Sequence, residues 1–187
     1  MTKAEDEKII LGIDPGTTVT GYGLIRVTGR TPSLITLGII DLRKKEDHFR
    51  KIRHIFEETL KLIDQYHPDE FAIEAPFYGK NVQSMLKLGR AQGAAISAAL
   101  YRDLPVFEYA PRMIKMSITG RGQASKEQVS TMLSTLLSFR SEKMILDATD
   151  ALGAALCHFY QSSRPAAAKE YRNWGDYLKK NSDRLKG

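Results

Sequence analysis

The chain has 187 residues, of which 42% are hydrophobic, enough for one packed core and too short for two ordinary domains. The sequence has no apolar run of membrane-spanning length and only one cysteine, which argues against a membrane protein, an internal disulfide and a cysteine-built metal site. The net charge of +6 arises mainly from residues 75–143 and 164–187, which favours a polyanionic partner, although a solvated basic surface would give the same balance. The charged N-terminus does not resemble a signal peptide, so a cytoplasmic location is expected.

The N-terminal stretch combines a buried strand with an acidic residue. Residues 9–13 are aliphatic and predict a strand that is buried on both faces, and Asp14 follows it directly. Pro15-Gly16 then predicts a turn, and residues 22–27 predict a returning strand. A buried carboxylate is costly unless it is paired or binds a cation. Asp14 therefore either hydrogen-bonds its own turn or serves a metal or phosphate site.

The next elements continue a sheet. Residues 34–42 predict a third strand after a turn at Thr31-Pro32, so the first three strands form an antiparallel meander. Apolar residues at helical spacing predict an amphipathic helix over 48–65. A short strand over 71–74 follows, and a crossover of this kind makes it parallel to the first strand.

Glu74 repeats the arrangement of Asp14, because an apolar strand again ends in an acid that precedes a proline. Parallel neighbouring strands bring both carboxylates to the same edge of the sheet, where open α/β sheets bind ligands. Two adjacent acids repel each other, and a divalent cation relieves that repulsion. The alternative is an ordinary strand-end glutamate that faces solvent.

A long helix is predicted over residues 81–102, with Asn81 as its N-cap. Small or apolar residues cover most of its circumference, which indicates packing on two sides. The second neighbour is either a partner subunit or another part of the same chain. A fifth strand is predicted over 104–109 and a short helix over 111–119.

Basic residues surround the glycine-containing connection that follows this short helix. Ser125 and Gln128 have the spacing of a capping box, which predicts a helix that runs to about residue 139. Lys115, Arg121 and Lys126 flank the connection. They form either a phosphate-contact patch or a solvated loop.

The last helix begins near Asp147 and also contains Asp150, three residues further on. Residues at this spacing lie on one helix face, so both can point at the same target. Capping of the helix N-terminus explains the same pair equally simply. Together with Asp14 and Glu74, the pair suits two Mg²⁺ ions that cleave a phosphodiester, one activating water and the other stabilising the leaving oxygen.

Several motifs in order resemble those of RuvC-type Holliday-junction resolvases, over about residues 8–161. They are Ile10-Leu-Gly-Ile-Asp-Pro-Gly-Thr with Thr20-Gly-Tyr-Gly, Ala72-Ile-Glu, Lys80-Asn81 through Leu86-Lys-Leu-Gly-Arg to Gln92-Gly93, Glu108-Tyr with Lys115, and Asp147-Ala-x-Asp150-Ala-Leu. The resemblance implies an α/β, RNase H-like fold whose five-stranded mixed sheet has three antiparallel strands, then parallel strands, with flanking helices. It also implies a homodimer that resolves four-way DNA junctions in recombination and repair by paired, Mg²⁺-dependent nicking.

The resemblance further assigns roles to individual residues. It implies that the catalytic and metal-binding acids are Asp14, Glu74, Asp147 and Asp150, holding two Mg²⁺ ions for which Mn²⁺ substitutes. The predicted DNA contacts are Phe77, Tyr78, Lys80, Lys87, Arg90, Lys115, Arg121 and Lys126. An aromatic side chain at Phe77, with Tyr78 beside it, would stack on an unpaired base. The branch-migration proteins RuvA and RuvB are the expected protein partners.

Two other functional classes are compatible with parts of the pattern. The segment from Asp14 to Thr18 resembles the first phosphate loop of actin-like ATPases and sugar kinases, although no second loop is visible. A junction-binding protein without catalytic activity would share the basic charge. Residues 1–163 are predicted to form the nuclease domain, and residues 164–187 a basic, aromatic-containing C-terminal tail.

Overall fold

The computed structural model describes residues 7–44, 47–76, 81–139 and 146–163. Its strands are β1 (Glu7–Asp14), β2 (Val19–Thr28), β3 (Thr31–Asp41), β4 (Glu70–Glu74) and β5 (Val106–Tyr109). Its helices are α1 (His48–Tyr66), α2 (Val82–Tyr101), α3 (Pro111–Thr119), α4 (Lys126–Leu136) and α5 (Leu146–Ser162). None of the described helices has the length and apolar character needed to span a bilayer. The predicted tail, residues 164–187, lies outside the described residues.

The five strands form one mixed sheet in the order β3-β2-β1-β4-β5. The pairs β1–β2 and β2–β3 are antiparallel, whereas β1–β4 and β4–β5 are parallel. The predicted sheet, with three antiparallel strands followed by parallel ones, is therefore confirmed. Because β1, β4 and β5 run the same way, their C-terminal ends lie along one edge.

Helices cover both faces of the sheet. The helices α3, α4 and α5 share one hydrophobic core with the sheet, which includes Ile10, Ala72 and Leu156. The helices α1 and α2 cover the other face, around Leu11, Phe71 and Ile73. Alternation along β1 and β4 explains this division, since successive side chains of a strand point to opposite faces.

Glycines let α5 lie directly on the sheet backbone. A Cβ atom at Gly12 would be 2.1 Å from the carbonyl oxygen of Ala151, and one at Gly21 would be 2.0 Å from that of Asp147. Only glycine permits such an approach, because any side chain would push the helix away. The contact at Gly21, whose register partner is Asp14, holds the first turn of α5 beside the end of β1.

The predicted turn at Thr31-Pro32 is wrong. Both residues lie in β3, and the reversal occurs at Gly29 and Arg30, where Gly29 has a φ of 60°. Proline is common in turns, and this preference misplaced the reversal. In fact β3 is an edge strand of the sheet, where the missing N–H of proline is tolerated.

The helix α2 has two different faces. Asn81 caps it as predicted, because its side chain accepts a hydrogen bond of 3.0 Å from the Ser84 N–H. One face packs inward through the buried residues Ala91, Ala94, Ala95, Ala98 and Ala99. Val82, Leu86 and Leu100 on the rest of the helix are 66%, 51% and 58% exposed. Much of the apolar surface of α2 is therefore not covered by the described parts of the chain.

Candidate active site

Asp14 and Glu74 are side by side at one edge of the sheet. They end β1 and β4, and these parallel strands pair in register up to Ile13 and Ile73. Both acids line a cleft of about 830 Å³. The charged and amide side chains that line this cleft are those of Asp14, Glu74, Arg112, Lys115, Gln123, Lys126 and Asp150.

The first two turns of α5 bring one further acid into this cleft, whereas Asp147 does not line it. Asp150 lines it, and its Oδ2 accepts a bond of 2.5 Å from Lys126 Nζ. Asp147 is the second residue of α5 and is exposed, so it does not occupy the N-cap position that the alternative interpretation required. Its charge nevertheless acts on Asp14 and on Lys126.

The turn after β1 does not use Asp14 to satisfy its backbone. Thr20 is fully buried, and its hydroxyl both accepts from the Gly16 N–H and donates to the Gly16 carbonyl, each at 3.2 Å. Because Thr20 closes the turn, the carboxylate of Asp14 is left facing the other acids.

Burial and mutual repulsion perturb both strand-end acids. Burial raises the pKa of Asp14 to about 8, and the charges of Glu74 and Asp150 act in the same direction. Burial also raises the pKa of Glu74 to about 7, with a further contribution from Asp150. Like charges held this closely favour a compensating cation. Acids with such perturbed pKa values in a cleft are typical of functional sites.

Two lysines supply part of that compensation. Lys126 lowers the pKa values of Asp14 and Glu74, and Lys115 lowers that of Glu74. Lys126 begins α4 next to its N-cap Ser125, whose predicted capping box with Gln128 is present. Burial opposes the charged form of Lys126, but the hydrogen bond to Asp150 and the charges of Asp150, Asp14 and Asp147 together outweigh it and raise the pKa of Lys126.

The oxygen atoms of the acids are suitable ligands for a hard cation, but the acids do not form a complete coordination site. Among the residues that the structure describes, no three carboxyl, imidazole or thiol groups are close enough to hold one ion. Mg²⁺ prefers oxygen ligands, which Asp14, Glu74 and Asp150 provide, and often binds through only one or two carboxylates with the remaining ligands from water and phosphate. The ammonium of Lys126 is paired with the carboxylate of Asp150. An ion can bind to this carboxylate only if it replaces the ammonium.

The other predicted DNA contacts are more dispersed. Lys87 and Arg90 are exposed on α2 and do not line the acidic cleft. Arg121 is exposed on the loop before α4 and lines a separate cavity with Thr119. Phe77, Tyr78 and Lys80 lie outside the described residues.

Sequence reasoning missed two lining residues, Arg112 and Gln123. Arg112 follows Pro111 just beyond β5, the third parallel strand. Its place at the same sheet edge could have predicted that it lines the cleft. Its side chain lies against Gly122, where a Cβ atom would be 2.7 Å from Arg112 Cγ. Gln123 had no comparable signal, because it lies in a loop.

Comparisons with known proteins agree with this geometry. A family model described as crossover junction endodeoxyribonuclease RuvC matches residues 10–158. A Bacteroides fragilis protein, named crossover junction endodeoxyribonuclease RuvC, is 60% identical over 188 residues and 100% of both chains. A Porphyromonas gingivalis protein of the same name is 52% identical over 96% of this chain and 98% of its own.

A solved structure of Thermus thermophilus RuvC in complex with Holliday junction substrate shares the fold. It matches with a TM-score of 0.75 and 29% identity, over 82% of this chain and 94% of the other. The predicted RNase H-like fold class is thus confirmed. Because the family model and the relatives cover most of the chain, this protein belongs to the RuvC family of crossover junction endodeoxyribonucleases.

Proposed function

We propose that the chain resolves Holliday junctions by paired, symmetric nicking of DNA phosphodiester bonds. The observation that carries this proposal is the meeting of Asp14, Glu74 and Asp150 in one lysine-flanked cleft of a RuvC-family chain. The junction complex of the T. thermophilus relative supports the substrate. Recombination and DNA repair in the cytoplasm are the processes that this activity would serve.

Asp14, Glu74, Asp147 and Asp150 would hold the divalent ions, two Mg²⁺ in our proposal, with Mn²⁺ as a substitute. Bound there, such ions activate a water molecule and stabilise the departing 3′ oxygen. The chain itself concentrates negative charge on half-buried side chains whose repulsion opposes their ionisation. This partial burial strengthens electrostatic interactions within the cleft.

The lysines would place the DNA backbone against these acids. Lys115 and Lys126 line the cleft, and their charges favour the ionised form of Glu74. Lys126 pairs with Asp150, and it would become available to a phosphate if Asp150 served as an ion ligand. Lys87, Arg90 and Arg121 would contact phosphates further from the cut bond.

The remaining predicted contacts, Phe77, Tyr78 and Lys80, lie outside the described residues. Ala75 and Pro76, which precede them in the sequence, line the cleft. A base-stacking role for Phe77 and Tyr78 is consistent with that position.

A homodimer would use the exposed part of α2. Val82, Leu86 and Leu100 present apolar side chains there, and a Cβ atom at Gly89 or Gly93 would have no neighbour within 4 Å. Small and apolar residues let two helices approach closely and bury a continuous surface. A two-fold enzyme also matches a junction with two equivalent strands to cut. RuvA and RuvB are the proposed further partners.

Leu86→Glu is expected to convert the dimer to a monomer, because it places a charge in the apolar surface of α2. The measurement is light scattering coupled to gel filtration, in which a dimer has about twice the chain mass of 21.0 kDa. The control Leu136→Glu changes a leucine that is 41% exposed on α4, across the sheet, and should leave the dimer intact. A dimeric Leu86→Glu protein, or a monomeric parent protein, would contradict the assignment.

The activity is tested with a labelled synthetic four-way junction and a linear duplex of the same sequence, each with Mg²⁺. We expect two symmetric nicks in the junction, none in the duplex, and no cleavage with EDTA. Binding with a steep salt dependence but no nicking under any divalent metal would indicate a catalytically inactive junction-binding protein. Protection of the protein against heat by ATP would instead favour the actin-like class.

A further inference from the structure

A buried polar network connects α5 to β4 and β5. Its residues do not line the cleft, and one of them, Tyr109, pairs in register with Glu74. His158 of α5 is 1% exposed. Its Nε2 lies 2.7 Å from Glu70 Oε2, and its Nδ1 lies 2.6 Å from the Tyr109 hydroxyl. Lys8 Nζ donates to the other oxygen of Glu70 at 2.7 Å, and the Phe107 ring stacks on His158 with centroids 4.2 Å apart.

The surroundings of these side chains indicate which of them donate and which accept the hydrogen bonds. Burial lowers the pKa of His158 below its ordinary value, which favours the neutral ring with one N–H. The Glu70 carboxylate only accepts, because Lys8 and His158 outweigh the effect of burial and lower its pKa. His158 Nε2–H therefore donates to Glu70, and Nδ1 accepts from Tyr109, whose pKa burial raises to about 12. Each of the three side chains has a partner of the required kind.

Two rigid elements lead from this network to the acids. Glu70 and Glu74 lie on the same face of β4, four residues or about 13 Å apart. His158 follows Asp150 by eight residues of α5, which is about 12 Å along the helix axis and about a quarter-turn around it. The helix thus runs opposite to the strand, with the Glu70–His158 bond at one end and the acids at the other.

Apart from the ion pair of Asp150 with Lys126, the other described contacts of α5 with the sheet, α3 and α4 are mainly apolar packing. The helix lies on the backbone of β1 and β2 at Gly12, Gly21 and Gly23, and its own contact residues there include Ala151 and Ala155. Close approach of small residues fixes the distance between the two surfaces. The hydrogen bonds of His158 to Glu70 and Tyr109 are directional, so they add a fixed reference along the helix axis.

We propose that Glu70, Tyr109 and His158 form a positioning network that sets the register of α5 along β4, and thereby the separation of Asp150 from Glu74. The inference rests on the proposed nuclease function, because those acids are its proposed ion ligands. None of the three residues would touch substrate. Their effect reaches the cleft through α5 and β4, as outer hydrogen bonds orient ligands in other metal sites.

The test compares His158→Phe, which keeps an aromatic ring against Phe107 but removes both hydrogen bonds, with two further variants. His158→Gln keeps an amide donor for Glu70. Leu156→Ala, at a fully buried position on α5 without a polar contact, controls for loss of stability. Each variant's Tm is recorded, and each is assayed well below the lowest Tm.

At saturating junction, His158→Phe should lower kcat by about 10²-fold, since displacement of reacting groups by about 1 Å has such an effect. Junction affinity without divalent ions should stay unchanged, and Mn²⁺ affinity measured by electron paramagnetic resonance should fall about tenfold. His158→Gln should recover most of both losses. Leu156→Ala should retain kcat and Mn²⁺ affinity despite a lower Tm.

Equal losses in His158→Phe and Leu156→Ala, or unchanged kcat and Mn²⁺ affinity in His158→Phe, would overturn the positioning role. Both outcomes leave the nuclease function intact if the parent protein cleaves junctions. A parent protein that never cleaves would refute the nuclease function instead, and the Mn²⁺ affinities would then decide the role of the network.

Discussion

Asp14→Asn is expected to abolish junction cleavage, with a rate loss on the order of 10³-fold or more, while junction binding is retained. The substitution keeps the size of the side chain and removes the charge that a divalent ion would need. Asp14 is also the acid that feels the charges of all three other acids, Glu74, Asp150 and Asp147. Cleavage is measured in single turnover with Mg²⁺, and binding by gel shift in EDTA.

The same substitution should stabilise the cation-free protein, because it relieves repulsion in the cleft. The folded-state pKa of Asp14, about 8, lies above its ordinary value of 3.8. The unfolded chain therefore ionises first, and Asp14 destabilises the fold increasingly as pH rises from about 4 to 8. In EDTA, Asp14→Asn should raise Tm by about 2–4 °C at pH 8 and by less at pH 5.

The matched control is Asp64→Asn, which makes the same chemical change at an exposed α1 residue that pairs with Arg102. It should leave cleavage intact, because Asp64 lies outside the cleft. Mg²⁺-dependent cleavage by Asp14→Asn at a rate near that of the parent protein would refute the role of Asp14. A lower Tm at pH 8 would contradict the electrostatic account.

Gly21→Ala is expected to be strongly damaging although it adds only one methyl group. The new Cβ would lie 2.0 Å from the Asp147 carbonyl oxygen, and backbone cannot yield as a flexible side chain can. The first turn of α5 must move away, at a cost of about 3 kcal/mol or more. Thermal unfolding should show a Tm loss of about 6–12 °C, and the folded variant should cleave poorly because Asp147 and Asp150 are displaced.

Gly29→Ala is the matched control for this substitution. A Cβ atom there would have no neighbour within 4 Å, although the φ of 60° carries the usual strain of about 1 kcal/mol for a residue with a side chain. Its Tm should fall by only about 2–4 °C, with cleavage unchanged. If Gly21→Ala melted no lower than Gly29→Ala, the close contact between α5 and β2 would not exist as described.

Local patterns in the sequence predicted most elements correctly, because the interactions behind them span a few residues. Asn81 and Ser125 cap their helices through side chains that reach only three residues onward. Alternation in strands and the 3.6-residue period in helices similarly depend on nearest neighbours. The placement of Asp14 and Glu74 at one edge followed from two predicted strand ends and one parallel crossover.

Contacts between distant residues were decided only by the tertiary structure. Lys126 and Asp150 are 24 residues apart in the sequence, and His158 and Glu70 are 88 residues apart. No local sequence pattern therefore predicts either contact. The raised pKa values of Asp14 and Glu74 likewise depend on burial under α5 and on neighbouring charges.

The sequence by itself determined the element types, the mixture of antiparallel and parallel strands and the identity of the candidate acids. Only the tertiary structure decided which part of α2 stays uncovered, which cation neutralises Asp150, and how α5 is held over the glycines of β1 and β2. The physical reason is that backbone propensity acts within a few residues. Burial, close approach and charge pairing depend on which distant segments the fold brings together.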